Sequence, residues 1–198
     1  MLIFLNLIHI VIKMKDVLFE ELSKDVIIKE IPSIDNSLFY MIKHNTVWDE
    51  SLSSRKTASY GIPYIYSGVS YSYLPIPDYL VFLQKEIQEH IGFLPNNCLI
   101  NYYPNGRSKM GFHSDQIDQL VDKSGVAIFS LGSKRIIRFK NKIDTSKAVD
   151  IELKPNTLFY MSQEIQKDWL HAILPDKDNS LNERISITFR LLKNQNSN

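Results

Sequence analysis

Apolar residues recur at helical spacing in two stretches of the first half of this chain, and in short alternating runs over the second half. Leu38, Phe39, Met41 and Ile42 follow Asp35, whose carboxylate suits a helix N-cap. Leu80, Leu83 and Ile87 mark a second helix, with Asp78 expected to cap it and Gly92 to end it. Between them, residues 59–73 are rich in Tyr, Ser and Gly and read as strand and loop. From Cys98 onward the pattern shortens. Residues 126–131, 135–139, 150–153, 157–161 and 169–174 each predict a strand, with Gly132-Ser133 as a turn between the first two. Residues 184–192 alternate cleanly. Ile185, Ile187, Phe189 and Leu191 fall on one face, and Arg184, Ser186, Thr188 and Arg190 on the other. Helices first and many short strands afterwards predict an α+β protein: a β-sandwich or jelly roll with N-terminal helices packed on one sheet.

Length and composition narrow the class. A chain of 198 residues is long enough for one domain with a substantial core. Cys98 is the only cysteine, so no intrachain disulfide forms, and a reducing intracellular compartment, cytoplasm or nucleus, is expected. The formal net charge is +1, so any nucleic-acid binding rests on a local basic surface and not on a global field. Residues 2–12 are strongly apolar, but this run is too short for a bilayer, which takes about 20 residues. It lacks the basic start and small-residue end of a signal peptide, so no membrane association is expected. Met14 is an alternative start, which makes residues 1–13 an uncertain N-terminal extension.

Three groups of residues carry candidate chemistry. His113 and Asp115 are two apart, so on a strand both side chains point to one side. His171 stands alone in an apolar strand. Two imidazoles and one carboxylate can hold one face of a non-haem iron and leave the other face open. The same set also makes a catalytic zinc site. Taken singly, His113-Ser114-Asp115 equally describes a surface pair, and His171 a core histidine bonded to backbone. Arg184 and Arg190 share a strand face, six residues and roughly 20 Å apart. They suit the two ends of a small dianion by charge-assisted, bidentate contacts. They equally suit the solvent face of an amphipathic strand. Asn101 and Tyr103 share a face just before the Pro104-Asn105-Gly106 turn, where an amide and a phenol can orient a carboxylate.

In order, NYYPNGRSKMGFHSD, IFSLGSKRIIRF, the lone His171 and RISITFR resemble the AlkB family of Fe(II)- and 2-oxoglutarate-dependent dioxygenases. The resemblance is specific over residues 98–192. It extends more thinly to Arg55-Lys56-Thr57-Ala58-Ser59-Tyr60-Gly61 and Tyr66-Ser67-Gly68-Val69, which look like the substrate lid of nucleic-acid repair members. It implies a double-stranded β-helix core over 98–192, with N-terminal helices and a lid over 14–97; residues 193–198 are polar and, by composition, are expected to form a disordered tail. It implies Fe(II) on His113, Asp115 and His171, and 2-oxoglutarate on Asn101, Tyr103, Arg184, Ser186 and Arg190. Ser186 stands where an Asn is common. Tyr60 and Tyr66 would line the pocket for a modified base, with Tyr60 stacking on it, and Asp118 would face that pocket. Arg55, Lys56 and Arg135 would contact substrate. With Arg107, Lys109, Lys134, Arg138, Lys140 and Lys142 they would form a phosphate track.

The implied reaction decarboxylates 2-oxoglutarate to succinate and CO2 and hydroxylates an N-methyl group, which leaves as formaldehyde. The base must be extruded from its stack to reach the iron. Double-strand-probing members carry a longer hairpin ahead of the lid. Here residues 47–54 are short, with Trp48 as the available wedge, so single-stranded DNA or RNA is expected alongside duplex DNA as a substrate. The alternatives are the same chemistry on a protein side chain or small molecule, and a non-enzymatic binding module. A monomer is expected.

Overall fold

The computed structural model of the chain describes residues 18, 20–64, 72–176 and 182–193. The expectations placed on residues 1–13, on Tyr66 and on the tail beyond 193 lie outside the described residues. Strand β1 (Val26–Glu30) leads to helix α1 (Asn36–Asn45), then to β2 (Lys56–Gly61) and α2 (Val81–Ile91). Strands β3 (Asn97–Tyr103), β4 (Met110–His113), β5 (Gly125–Gly132), β6 (Arg135–Asn141), β7 (Ala148–Leu153) and β8 (Thr157–Ser162) follow. A short helix, α3 (Ile165–Asp168), runs directly into β9 (Trp169–Ile173), and β10 (Arg184–Arg190) closes the order.

The strands form two antiparallel sheets, a six-stranded one ordered β1-β8-β5-β10-β3-β2 and a four-stranded one ordered β4-β9-β6-β7. This is the double-stranded β-helix expected from the strand-rich second half. The sandwich is wider than residues 98–192, because β1 pairs with β8 and β2 with β3, so the first half contributes an edge strand at each side. One core lies between the sheets, where Ile128, Phe159 and Met161 meet Ile137, Phe139 and Ile173. A second lies on the outer face of the large sheet. There Leu38 and Ile42 of α1 and Leu83 and Ile87 of α2 cover Ile100, Phe129, Ile187 and Phe189.

The middle strands are therefore buried on both faces, which is why residues 126–131 read as an apolar run with Ser130 as its one polar member. The consequence for β10 is larger. All seven of its residues are buried, so its polar face looks into the cleft between the sheets and not into solvent.

The helix ends follow their caps. Asp35 accepts the Ser37 backbone N–H at 2.7 Å, and Gly92 takes the left-handed conformation (φ 97°) that ends α2. Asp78 does not cap α2. It begins a 3-10 turn, Asp78–Leu80, closed by the Leu80 N–H on the Pro77 carbonyl at 2.8 Å, and no side chain caps the helix behind it.

Candidate active site

The two sheets part at one end around a narrow cleft of about 40 Å³. His113, Asp115 and His171 line it, and so do Asn101, Tyr103, Arg184, Ser186 and Arg190. The register explains the convergence. His113 of β4 lies directly opposite His171 of β9, and their rings stand 4.2 Å apart between centroids. Across the cleft, Ser186 of β10 pairs with Asn101 of β3, and Arg184 with Tyr103. Period-two alternation then turns all four side chains inward. Leu99, Ile128, Ile137, Met161 and Ile173 supply the apolar wall.

The donor set suits a divalent metal. The His113 Nδ1 lies 2.8 Å from the Gly111 carbonyl, which only accepts, so the proton sits on Nδ1 and Nε2 is left as a ligand. Burial pushes the His171 imidazole down to about 3, with the neighbouring His113 adding to the shift, so the ring is neutral and its lone pair free. Burial also lowers His113. Burial alone would raise the Asp115 carboxyl, but Arg190 and the two imidazoles outweigh it and hold it ionised. The His171 Nε2 stands 3.9 Å from Asp115 Oδ2. Donors on one face of an ion, each roughly 2.1 Å from it, stand about 3.0–3.4 Å apart, so the Asp115 carboxylate must move in by roughly half an ångström or more to share a metal with His171. Among the described residues no trio of His, Cys, Asp or Glu is already drawn into a closed cage. Asp115 Oδ1 is held at 2.7 Å by the Arg190 guanidinium.

The arginines are the least ordinary groups in the cleft. Arg184 is 1% exposed and Arg190 4%. Arg184 donates one N–H to Ser130 Oγ at 3.0 Å and lies over the Tyr103 ring at 5.2 Å. Its Nε and Nη1 are buried without hydrogen-bond partners. Burial pushes its guanidinium down to about 10; Tyr103 and Arg135 are the groups that act on it, and no carboxylate is among them. A buried cation without a counter-ion is costly, so this point demands an anion. Arg190 keeps Asp115 as its partner, and its own Nε and Nη1 are unpartnered.

The substrate residues scatter. Arg55 lies on the cleft side, donating Nε to Asn101 Oδ1 at 2.8 Å. Tyr60 does not face the cleft. It pairs in register with Cys98, whose face of the large sheet carries the helices, and it packs in that outer cluster beside Trp48 and Tyr79. The period of two that turns Asn101 inward turns Tyr60 outward, which removes it as a stacking partner for a base. Tyr60→Ala should therefore lower the melting temperature while leaving turnover of 2-oxoglutarate intact in the protein that stays folded. Selective loss of base demethylation would contradict this.

Lys56 shares the outward face and pairs with Glu50 at 2.5 Å. Asp118 is exposed and absent from the cleft lining. Arg135 is 2% exposed and donates to the Ser108 and Leu174 carbonyls, so it anchors the loop after β3 from beneath and meets no solvent. Of the rest of the expected phosphate track, Lys134 pairs with Glu152, Arg138 with Asp150, and Lys142 donates to the Gln166 carbonyl. Trp48 is no free wedge, since it lies on Tyr102 at 5.3 Å and donates to the Lys43 carbonyl.

Three residues of the site gave no sequence signal. Ser130 receives Arg184, Gln166 receives the Asp115 N–H at 2.9 Å, and Tyr64 receives the Gln116 N–H at 2.8 Å. A serine, a glutamine and a tyrosine in ordinary surroundings have no spacing that marks them.

The family model described as 2OG-Fe(II) oxygenase superfamily matches residues 19–190. The chain belongs to that superfamily. Membership implies Fe(II) as cofactor and 2-oxoglutarate as cosubstrate, and the relatives make it AlkB-like. Alpha-ketoglutarate-dependent dioxygenase alkB homolog 3 of Bos taurus is 29% identical over 191 residues, covering 90% of this chain and 62% of its own length. DNA oxidative demethylase ALKBH2 of Homo sapiens is 30% identical over 146 residues, covering 69% of this chain and 56% of its own. An uncharacterized protein, R406 of Acanthamoeba polyphaga mimivirus, is 34% identical over 125 residues, or 63% of this chain and 64% of that one. The chain thus spans somewhat under two thirds of the length of these relatives. A solved structure titled as OsALKBH1 superimposes with a TM-score of 0.52 at 19% identity, covering 70% of this chain and 78% of that one, and so shares the fold.

Proposed function

We propose that this protein removes N-methyl groups oxidatively from bases of single-stranded nucleic acid, consuming O2 and 2-oxoglutarate and releasing formaldehyde, succinate and CO2. One observation carries the cosubstrate half of this reading. A fully buried Arg184 with two unpartnered N–H groups shares a cleft with two neutral imidazoles and an ionised carboxylate. A keto-diacid satisfies both ends: one carboxylate neutralises Arg184 in bidentate fashion, and the other end reaches toward His113, Asp115 and His171. Those three residues would hold Fe(II), which supplies oxygen activation and oxidation of the methyl group when bound. The chain's own work is orientation. Ser130 and Tyr103 steady Arg184, Arg190 steadies Asp115, and the apolar wall of Leu99, Ile128 and Ile173 excludes water.

The nucleic-acid half rests on the names of the relatives and on the surface beside the cleft. Arg55 joins the cleft wall at Asn101, and its Nη1 donates to Ser54 Oγ at 3.4 Å. Ser54 in turn lines a neighbouring recess with Ser53, Asn105, Arg107 and Ser108, and no carboxylate lines it. Arg107 there is exposed and suits a phosphodiester. Trp48 is tied down, which removes the aromatic wedge expected of residues 47–54 and favours single strands.

The deciding assay offers 1-methyladenine and 3-methylcytosine in single- and double-stranded DNA and RNA with iron, ascorbate and 2-oxoglutarate, and measures formaldehyde. Release from single strands above duplex is expected. Succinate formation that no nucleic acid stimulates would move the substrate to a protein side chain or small molecule. Arg107→Ala should weaken single-strand binding evenly across sequences and reduce the salt slope by about one. An unchanged slope in a fluorescence-anisotropy titration would take Arg107 out of the phosphate path.

A further inference from the structure

The segment carrying Asp115 is gripped by its backbone as well as by its side chain. Asp115 and Gln116 follow β4 in a stretch without regular structure. Their two consecutive N–H groups each donate to a buried side chain, Asp115 to Gln166 Oε1 at 2.9 Å and Gln116 to the Tyr64 hydroxyl at 2.8 Å. The two acceptors come from opposite sides. Gln166 lies in α3, which continues without a break into β9 and His171. Tyr64 follows β2. Each is 3% exposed.

Both residues make further contacts. The Tyr64 hydroxyl lies 3.4 Å from Asp115 Oδ1, and its ring lies 4.3 Å from the Arg190 guanidinium that holds the same oxygen. The Gln166 backbone carbonyl accepts from Lys142 Nζ at 2.7 Å, which fixes α3 to the end of β6 whatever the side chain at 166. Gln166 Nε2 is buried without a hydrogen-bond partner. A side chain that served packing alone would not leave that donor unpaired, because an apolar group of the same size fills the space without the desolvation cost.

We infer that Gln166 and Tyr64 are positioning residues that together form a brace for Asp115. They set its main chain, and hence its carboxylate, at the angle a shared metal requires, and Gln166 ties that setting to the strand that carries His171. Without the brace, Asp115 is free to settle wholly on Arg190. This rests on the reading of His113, Asp115 and His171 as the iron ligands. Groups that orient metal ligands in this way change metal affinity although they never touch the ion.

The test uses the full chain with Gln166→Met and Tyr64→Phe, both close in volume to the native side chains. Mn(II) binding in the presence of 2-oxoglutarate is measured by calorimetry, the d–d absorption is recorded with Co(II) bound, and the metal-free melting temperature is taken for each. The expected result is Mn(II) affinity weaker by on the order of 10-fold in each variant, with a shifted Co(II) band. The metal-free Gln166→Met protein loses an unpaired donor but also the acceptor of the Asp115 N–H, so a modest fall in its melting temperature is expected beside the loss of Mn(II) affinity. A lower metal-free melting temperature with parental Mn(II) affinity and an unshifted Co(II) band would overturn the brace and leave both residues structural. Failure of the parent itself to bind Mn(II) would instead overturn the iron reading, and the brace with it.

Discussion

Arg184→Met is expected to abolish 2-oxoglutarate binding without unfolding the protein. The two effects have different origins. In the presence of cosubstrate, the variant loses a buried, charge-assisted contact, and removing one partner of such a pair costs roughly 2–5 kcal/mol. At 1.4 kcal/mol per factor of ten, that is about 30-fold to several thousand-fold weaker binding. In the absence of cosubstrate the sign reverses. The Arg184 guanidinium is buried with Nε and Nη1 unpartnered, and no carboxylate is among the groups that shift its titration. Methionine fills the space without a charge to desolvate, so the cosubstrate-free variant should melt at or above the parental temperature. Isothermal titration with 2-oxoglutarate and a melting curve with and without it check both halves. A variant that binds 2-oxoglutarate like the parent, or that melts well below the parent without it, would show that Arg184 is a structural cation and not an anion receptor.

Asp115→Ala carries the second large effect, and here stability and activity fall together. Succinate formation should stop, because the carboxylate is one of three groups available to a metal. The fold should also suffer. Arg190 is 4% exposed and Asp115 is its only anionic partner among the described residues, at 2.7 Å. Removing one member of a buried pair strands the other and costs roughly 3–5 kcal/mol, a large share of the stability of an ordinary domain. His113→Ala separates the two roles. His113 is only half-buried and acts on Asp115 less than Arg190 does, so this variant should lose succinate formation with a smaller change in melting than Asp115→Ala. Denaturant unfolding beside succinate measurement distinguishes them. Equal stability losses at positions 113 and 115 would contradict the Arg190 argument, and full activity in either variant would remove the metal assignment.

The brace and these variants share one feature: each concerns a group whose role depends on what lies across the cleft. That divides what could be read from the chain from what could not. The alternation of residues 184–192 places Arg184, Ser186 and Arg190 on a common face without any structure. The pattern leaves open which face meets solvent. For an edge strand the arginine face would be outside. In β10 the apolar face is covered by α1 and α2, and the arginine face meets the other sheet, because the strand lies fourth in a six-stranded order between β5 and β3. Tyr60 shows the reverse. Its segment was legible as strand and loop, but the register of β2 on β3 decides its direction, and a shift of one residue would have turned it into the cleft. Arg135 looked like a surface cation in a basic stretch and proves to be an internal clamp on two carbonyls, since nothing local reports burial of a single arginine.

The chain by itself determined the α+β order, the helix ends at Asp35 and Gly92, and the chemical identity of eight of the polar residues that line the cleft, since period, capping chemistry and donor type are local properties. Only the tertiary structure decided that Arg184 is a buried cation without a counter-ion among the described residues, that Asp115 rests on Arg190, and that Gln166 and Tyr64 take its neighbouring amides. Burial and partnership are set by what packs across a layer, and the two layers here bring together residues far apart in sequence.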